Sequence, residues 1–250
     1  MPPDRPRFIA IGSGKGGVGK TWLAITLAHA LTRSGLRVLL FDADLGLANV
    51  DVQLGLTPRA DLAAVLSGRA SLAYATTRHD STGLDVLAGQ SGSDALSGLS
   101  VENLDSLLAR LHGETVDYDA ILLDLSAGVD RAVRRIAAWS DLLMVVTTDE
   151  PTSLTDAYAL LKLHTMDKPS GNVRIAINLA RSTAGGQQTY ATLRRACMAF
   201  LNREPLLAGV IRHDPKVRDA IRYQTSLLLR HPNCWAAQDV EALARTCLTG

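Results

Sequence analysis

Short runs of consecutive apolar residues alternate along this chain with longer stretches in which apolar residues recur at helical spacing. Continuous apolar runs are typical of parallel strands buried on both faces, and the periodic stretches predict helices that connect them. We place strands near residues 7–12, 37–42, 84–88, 119–125, 141–147, 172–178 and 206–211. We place helices near residues 20–34, 101–112, 130–138, 153–166, 187–202, 214–223 and 235–248. The alternation predicts an α/β fold, doubly wound, with a mostly parallel sheet and helices on both faces.

The segments between these elements add little to this prediction. Residues 49–68 are expected to form shorter helical turns. The stretches 89–98 and 182–186 are rich in glycine and serine, which is typical of surface loops, and neither is long enough to separate two domains. We therefore expect residues 1–250 to form a single domain.

A glycine-rich loop between the first strand and the first helix carries the most specific motif of the chain. The spacing of Gly14, Gly19, Lys20 and Thr21 is that of a P-loop, and the motif requires this strand and this helix around it. Such a loop brings backbone N–H groups and the positive end of a helix to a polyphosphate. We expect Lys20 to reach the β- and γ-phosphates of ATP and the Thr21 hydroxyl to ligate Mg²⁺. The predicted ATP-binding residues of the loop are Gly14, Lys15, Gly16, Gly17, Val18, Gly19, Lys20 and Thr21.

Lys15 is one lysine more than such a loop needs. It stands at the start of the loop, where its side chain is not required to hold the phosphates of its own chain. A second lysine indicates a second task, and the alternative is a solvated loop cation.

Four polar residues lie at or just beyond the carboxyl ends of predicted strands, where sheets of this kind bind ligands. Of Asp42 and Asp44, one is expected near Mg²⁺ and the other turned toward an attacking water. Asp124 ends an apolar run and is expected to hold the Mg²⁺ shell, although aspartate also ends strands as a helix cap. The amide of Asn178 suits the edge of adenine, but asparagine is equally common in turns.

Residues 15–21 match in full the signature of the MinD/ParA family, the deviant-Walker-A ATPases. The resemblance covers essentially the whole chain, including the regions around Asp42, Asp124 and Asn178. Within the family the chain is most similar to the FlhG/FleN group of flagellar-number regulators. The residues that carry this similarity are 42–51, 89–92, 126–128 and 147–158.

The resemblance implies an ATP-dependent homodimer in which Lys15 of each subunit reaches the nucleotide of the other. Asp44 would then position the attacking water. The implied catalytic residues are Lys15, Lys20, Asp44 and Asp124, and the implied Mg²⁺ ligands are Thr21, Asp42 and Asp124. The family also implies slow hydrolysis that protein partners of a flagellar or other positioning system stimulate. The alternatives are a partition ATPase that binds DNA nonspecifically and a division-site ATPase.

Two positions depart from the family pattern. Trp22 stands where many relatives have a small polar residue, and its indole is expected either to pack beside the helix or to lie near the nucleotide. Arg212 stands where the family usually has proline, in a loop on the base side of the nucleotide. Both are retained as candidate ATP-binding residues.

Composition and charge leave the partner open. Residues 181–250 contain 10 Lys/Arg and 5 Asp/Glu, which suits nucleic acid, anionic lipid or an acidic partner, and equally a solvated helix face. The last predicted helix has Arg245 as its only cation, which favours core packing over binding to a membrane.

The remaining sequence features concern the place of the protein in the cell and the state of its cysteines. No apolar run approaches the roughly 18 residues of a membrane span, and the first residues resemble neither a signal nor a transit peptide. We expect a cytoplasmic protein whose association with the inner membrane, if it occurs, is transient and peripheral. Cys197, Cys234 and Cys247 form no Cys-x-x-Cys pair and are expected to be buried thiols.

Overall fold

The structure is a computed structural model that describes residues 5–44, 48–60, 62–89 and 100–247. Its strands are β1 (Arg7–Ser13), β2 (Val38–Ala43), β3 (Thr76–His79), β4 (Leu84–Leu87), β5 (Ala120–Ala127), β6 (Leu142–Thr147), β7 (Asn172–Ala180) and β8 (Leu206–Arg212). They form one sheet in the order β3-β4-β2-β5-β1-β6-β7-β8. Strands β3 and β4 are antiparallel, and the other neighbouring pairs are parallel. The predicted fold class is confirmed.

Helices cover both faces of this sheet. They are α1 (Lys20–Arg33), α2 (Val50–Leu54), α3 (Leu62–Leu66), α4 (Leu72–Ala75), α5 (Val101–Glu114), α6 (Arg131–Trp139), α7 (Pro151–Asp167), α8 (Thr183–Leu201), α9 (Pro215–Arg222), α10 (Leu227–Arg230) and α11 (Trp235–Cys247). Successive strand residues point to opposite faces, so Phe8 and Ala10 enter one core while Ile9 and Ile11 enter the other. Helices α5 to α8 pack on the first core, and α1 and α9 to α11 pack on the second.

One sequence prediction about local structure is wrong, and one strand was missed. Residues 182–186 do not form a loop, because α8 begins at Thr183 and the Ser182 hydroxyl caps it by accepting from the N–H of Gly185 at 3.0 Å. A glycine at 186 is needed in this turn because a Cβ atom there would lie 2.3 Å from Val210 Cγ1. The short antiparallel strand β3 was not predicted, since four residues are too few to display a period. Residues 90–98 of the other predicted loop lie outside the described residues.

The C-terminal helix is a core-packing element, as predicted. Val240, Leu243 and Cys247 of α11 are buried, whereas Trp235 at its start is 61% exposed. Cys197 is buried as well, but Cys234 is only half-buried, so the prediction of a buried thiol is wrong there. None of the helices in the described residues combines the length and the apolar character needed to cross a membrane.

Candidate nucleotide-binding site

The loop between β1 and α1 leaves the first N–H groups of α1 without a side-chain cap. Gly19 takes the N-cap position with φ 85°, and Gly17 has φ 80°, so both lie in the left-handed region that favours glycine. The first turn of α1 contains no acidic residue. These N–H groups and the positive end of the helix are therefore open to an anion, as a phosphate site requires.

Close packing against α7 and β7 fixes the position of this loop. A Cβ atom at Gly14 would lie 2.1 Å from the carbonyl oxygen of Asp156 in α7. One at Gly19 would lie 2.5 Å from Nδ2 of Asn178, which donates to the carbonyl oxygen of Val18 at 2.8 Å. Asn178 therefore supports the phosphate loop from the end of β7, a role that its sequence position did not predict. Its contact with adenine stays a prediction.

Lys20 and Asp124 form a buried ion pair at the base of the loop. Nζ of Lys20 donates to Oδ1 of Asp124 at 2.9 Å, and the two side chains are 8% and 1% exposed. Burial raises the pKa of Asp124, and the charge of Lys20 and the Thr21 side chain counteract this shift. The two predicted site residues Lys20 and Asp124 are thus in direct contact, with Thr21 beside them.

The same carboxylate fits a divalent cation. Oδ2 of Asp124 is buried and has no hydrogen-bond partner among the described residues. An unpaired anionic oxygen beside a hydroxyl is the kind of ligand that Mg²⁺ prefers. The residues present are therefore compatible with Mg²⁺ at Asp124 and Thr21.

Asp42 lies next to Asp124 in the sheet and anchors the backbone that follows β2. The two aspartates are register partners of β2 and β5. Oδ2 of Asp42 accepts from the N–H groups of Asn49 and Val50 at 2.9 and 3.0 Å, and Oδ1 accepts from the N–H of Asp44 at 3.2 Å. Burial and the charge of Asp124 raise the pKa of Asp42 to about 7. Asp42 thus binds backbone N–H groups of Asp44, Asn49 and Val50, and its role as an Mg²⁺ ligand stays a prediction.

Asp44 is tied to the strand that carries Asp124. The Ser126 hydroxyl of β5 donates to Oδ1 of Asp44 at 3.0 Å. Sequence reasoning gave Ser126 no role in the site. The contact orients the carboxylate that is predicted to position the attacking water.

Lys15 is held by residues of α7 and its N-cap. Its Nζ donates to Oε2 of Glu150 at 2.6 Å and to Oγ1 of Thr152 at 2.9 Å, and its side chain is 37% exposed. Lys15 is therefore partly exposed but not merely solvated. Glu150 and Thr152 were not predicted as site residues, although both lie in the segment 147–158 that carries part of the sequence similarity.

The two residues that depart from the family pattern have partners in the core and in α11. Trp22 is 6% exposed and packs in the second core, and its Nε1 has no hydrogen-bond partner among the described residues. The Arg212 guanidinium donates to both carboxylate oxygens of Asp239 at 2.8 Å and lies over the Trp235 ring. Contacts of Trp22 and Arg212 with ATP stay predictions.

A mostly parallel sheet with a phosphate loop after a central strand and a buried lysine–aspartate pair below that loop defines a P-loop nucleotide-binding protein. The sequence profile of the CobQ/CobB/MinD/ParA nucleotide binding domain matches residues 9–227 of this chain. The chain therefore belongs to this family, and the predicted MinD/ParA resemblance is confirmed.

The relatives of this chain include an antiactivator, a flagellum site-determining protein and cell division ATPases. The antiactivator FleN of Pseudomonas aeruginosa is 38% identical over 240 residues, which are 96% of this chain and 85% of FleN. The flagellum site-determining protein YlxH of Helicobacter pylori is 31% identical over 95% of this chain and 80% of its own length. The cell division ATPase MinD of Pyrococcus furiosus has a TM-score of 0.81 and 25% identity, with 96% of this chain and 98% of that chain covered. MinD of Pyrococcus horikoshii, solved as a complex with Mg-ADP, has a TM-score of 0.81 and 26% identity, with 98% and 96% covered.

Proposed function

We propose that this chain is an ATPase that alternates between a monomer and an ATP-bound homodimer and regulates the number or placement of flagella. The separate surroundings of the two loop lysines carry the proposal: Lys20 is buried against Asp124, whereas Lys15 lies at the exposed edge on Glu150. A lysine at that edge is available to the nucleotide of a second subunit. The similarity to FleN and YlxH supports the flagellar role.

Each residue of the site has a task in the proposed reaction. The loop N–H groups and Lys20 bind the β- and γ-phosphates and offset their charge. Mg²⁺, held by Asp124, Thr21 and Asp42, would neutralise charge on the phosphate oxygens. Asp44, oriented by Ser126, positions water in line with the γ-phosphate. The second subunit then adds the charge of its own Lys15.

Because the site is complete in the dimer alone, the monomer hydrolyses ATP slowly. A protein partner that binds the dimer then raises turnover by stabilising the completed site. Hydrolysis and phosphate release remove the contacts that hold the two subunits together, so the dimer dissociates after each round.

Asp44→Ala tests the switch. Loss of the water-positioning carboxylate should leave ATP bound and unhydrolysed, so this variant should elute as a dimer in size-exclusion chromatography with ATP and Mg²⁺. Asp117→Ala is the control. Asp117 is an exposed aspartate that precedes the amino end of β5, whereas Asp124 lies in the carboxyl-terminal half of that strand. An Asp44→Ala protein that stays monomeric with bound ATP would contradict the dimer model.

The cellular role needs a separate measurement. Deletion of the gene should change the number or position of flagella per cell, counted by electron microscopy, and should leave cell length unchanged. Altered septum placement with normal flagella would instead favour a division role.

A second candidate function is nonspecific binding to DNA, as in partition ATPases. The observation that favours it is an exposed group of Lys216, Arg218 and Arg222 on α9, which make no ion pair with a described residue. By contrast, Arg194 is paired with Glu204. This function requires an ATP-dependent, salt-sensitive shift of random duplex DNA that Arg218→Ala with Arg222→Ala abolishes.

A further inference from the structure

The contact that holds Lys15 in this chain has to break before the lysine serves a second subunit. We propose that Glu150 and Thr152 form an intramolecular latch, which holds Lys15 in the monomer and opposes formation of the ATP dimer. The inference rests on the proposed role of Lys15 in a homodimer. It assigns to Glu150 a regulatory task that is distinct from phosphate binding and from catalysis.

The backbone of the loop is packed so that Lys15 emerges beside the start of α7. Gly14 lies against the Asp156 carbonyl of α7, where no side chain fits. The Ser13 hydroxyl donates to the carbonyl oxygen of Lys15 at 2.9 Å and fixes the backbone at the lysine itself. With its backbone held on both sides, Lys15 places its ammonium within hydrogen-bond distance of Glu150 and Thr152.

Electrostatics identify Glu150 as the main element of the latch. The ammonium lies at the N-terminal end of α7, where the helix dipole repels a cation. Glu150 is the N-cap residue of α7, yet its side chain makes no capping hydrogen bond, so the carboxylate is available to Lys15. Thr152 contributes only a neutral acceptor. Without the Glu150 carboxylate, the positive end of α7 would disfavour the Lys15 ammonium at this position.

The exposure of the pair sets the strength of the latch. Lys15 is 37% and Glu150 61% exposed, so the pair resembles a surface salt bridge. A surface salt bridge shifts the equilibrium between its closed and open forms about twofold to fivefold. Because a symmetric dimer opens two latches, their combined effect on the dimer dissociation constant is about fourfold to twenty-five-fold. Such a latch biases the monomer and remains weak enough for ATP to open.

Glu150→Gln tests the latch, with Asp149→Asn as its matched control. Asp149 is an exposed carboxylate next to Glu150 and makes no ion pair with a described residue, so the control removes the same charge from the same surface. With a non-hydrolysable ATP analogue, Glu150→Gln should lower the dimer dissociation constant, measured by analytical ultracentrifugation, about fourfold to twenty-five-fold. Asp149→Asn should leave the constant within about twofold of the original protein. An unchanged or higher constant for Glu150→Gln would overturn the proposal.

A second readout does not depend on dimerisation. In the nucleotide-free monomer, release of Lys15 from the latch should raise its rate of acylation by an N-hydroxysuccinimide ester, followed by mass spectrometry of the Lys15 peptide, about twofold to fivefold in Glu150→Gln. An equal rate in Glu150→Gln and Asp149→Asn would mean that no latch exists. Faster acylation in Glu150→Gln, together with a failure of the original protein to dimerise with ATP, would support the contact while refuting the proposed dimer switch.

Discussion

Both lysines of the phosphate loop lie within hydrogen-bond distance of a carboxylate, at 2.6 Å for Lys15 and 2.9 Å for Lys20, but the two ion pairs have opposite surroundings. The side chains of Lys20 and Asp124 are 8% and 1% exposed, whereas those of Lys15 and Glu150 are 37% and 61% exposed. Either partner of a buried pair, left alone, is an uncompensated charge, but water solvates an exposed pair as it opens. The same loop therefore carries one lysine, Lys20, whose ion pair is costly to break, and another, Lys15, whose ion pair opens readily.

The comparison predicts that the largest loss of stability follows from a change at the buried pair of Lys20 and Asp124. Asp124→Asn should lower the free energy of unfolding by about 3–5 kcal/mol in nucleotide-free protein, because it leaves the Lys20 ammonium buried without a counter-charge. The double variant with Lys20→Met removes both charges and should recover part of this loss. Urea-induced unfolding measures the free energy of unfolding of the single and the double variant. A loss below about 1 kcal/mol for Asp124→Asn would mean that water reaches this pair as it reaches Lys15.

An intermediate effect is expected at Gly14, which joins the loop to α7. Gly14→Ala places a methyl group 2.1 Å from the Asp156 carbonyl oxygen, a backbone atom that cannot rotate away. We expect this change to lower the free energy of unfolding by about 1–3 kcal/mol and to move Lys15 off Glu150. Gly16→Ala is the control, since a Cβ atom at Gly16 meets nothing within 4 Å. Equal unfolding curves for the two variants would contradict the packing described here.

The smallest effect on stability is expected at Lys15. Lys15→Ala should change the free energy of unfolding by no more than about 1 kcal/mol, because the pair with Glu150 is exposed. It should also leave ATP affinity, measured by isothermal titration calorimetry, close to that of the original protein. Loss of ATP binding by the monomer would place Lys15 in its own site and remove the distinction between the two lysines.

Sequence reasoning predicted the features that local spacing determines. The glycine, lysine and threonine positions of the loop follow from the phosphate it is built to bind, and the strands follow from continuous apolar runs. The contacts of Glu150 with Lys15 and of Asn178 with Val18 join residues far apart in the chain, so no local pattern encodes them. Arg212 illustrates the same limit, because its bidentate contact with Asp239 depends on where α11 packs.

The first strand of the chain is also the one whose neighbours are synthesised late. Within the part of the chain that the structure describes, β1 pairs with β5 and β6 alone, so residues 7–13 have no strand partner there until residues 120–127 and 142–145 have been made. At ribosomal speeds this interval lasts about 5–30 s. Throughout it, the apolar segment from Phe8 to Ile11 has no neighbouring strand to pair with, and unpaired apolar segments in general favour aggregation. Because β1 lies in the middle of the sheet, the strand that leads into the phosphate loop is synthesised long before the strands that will flank it.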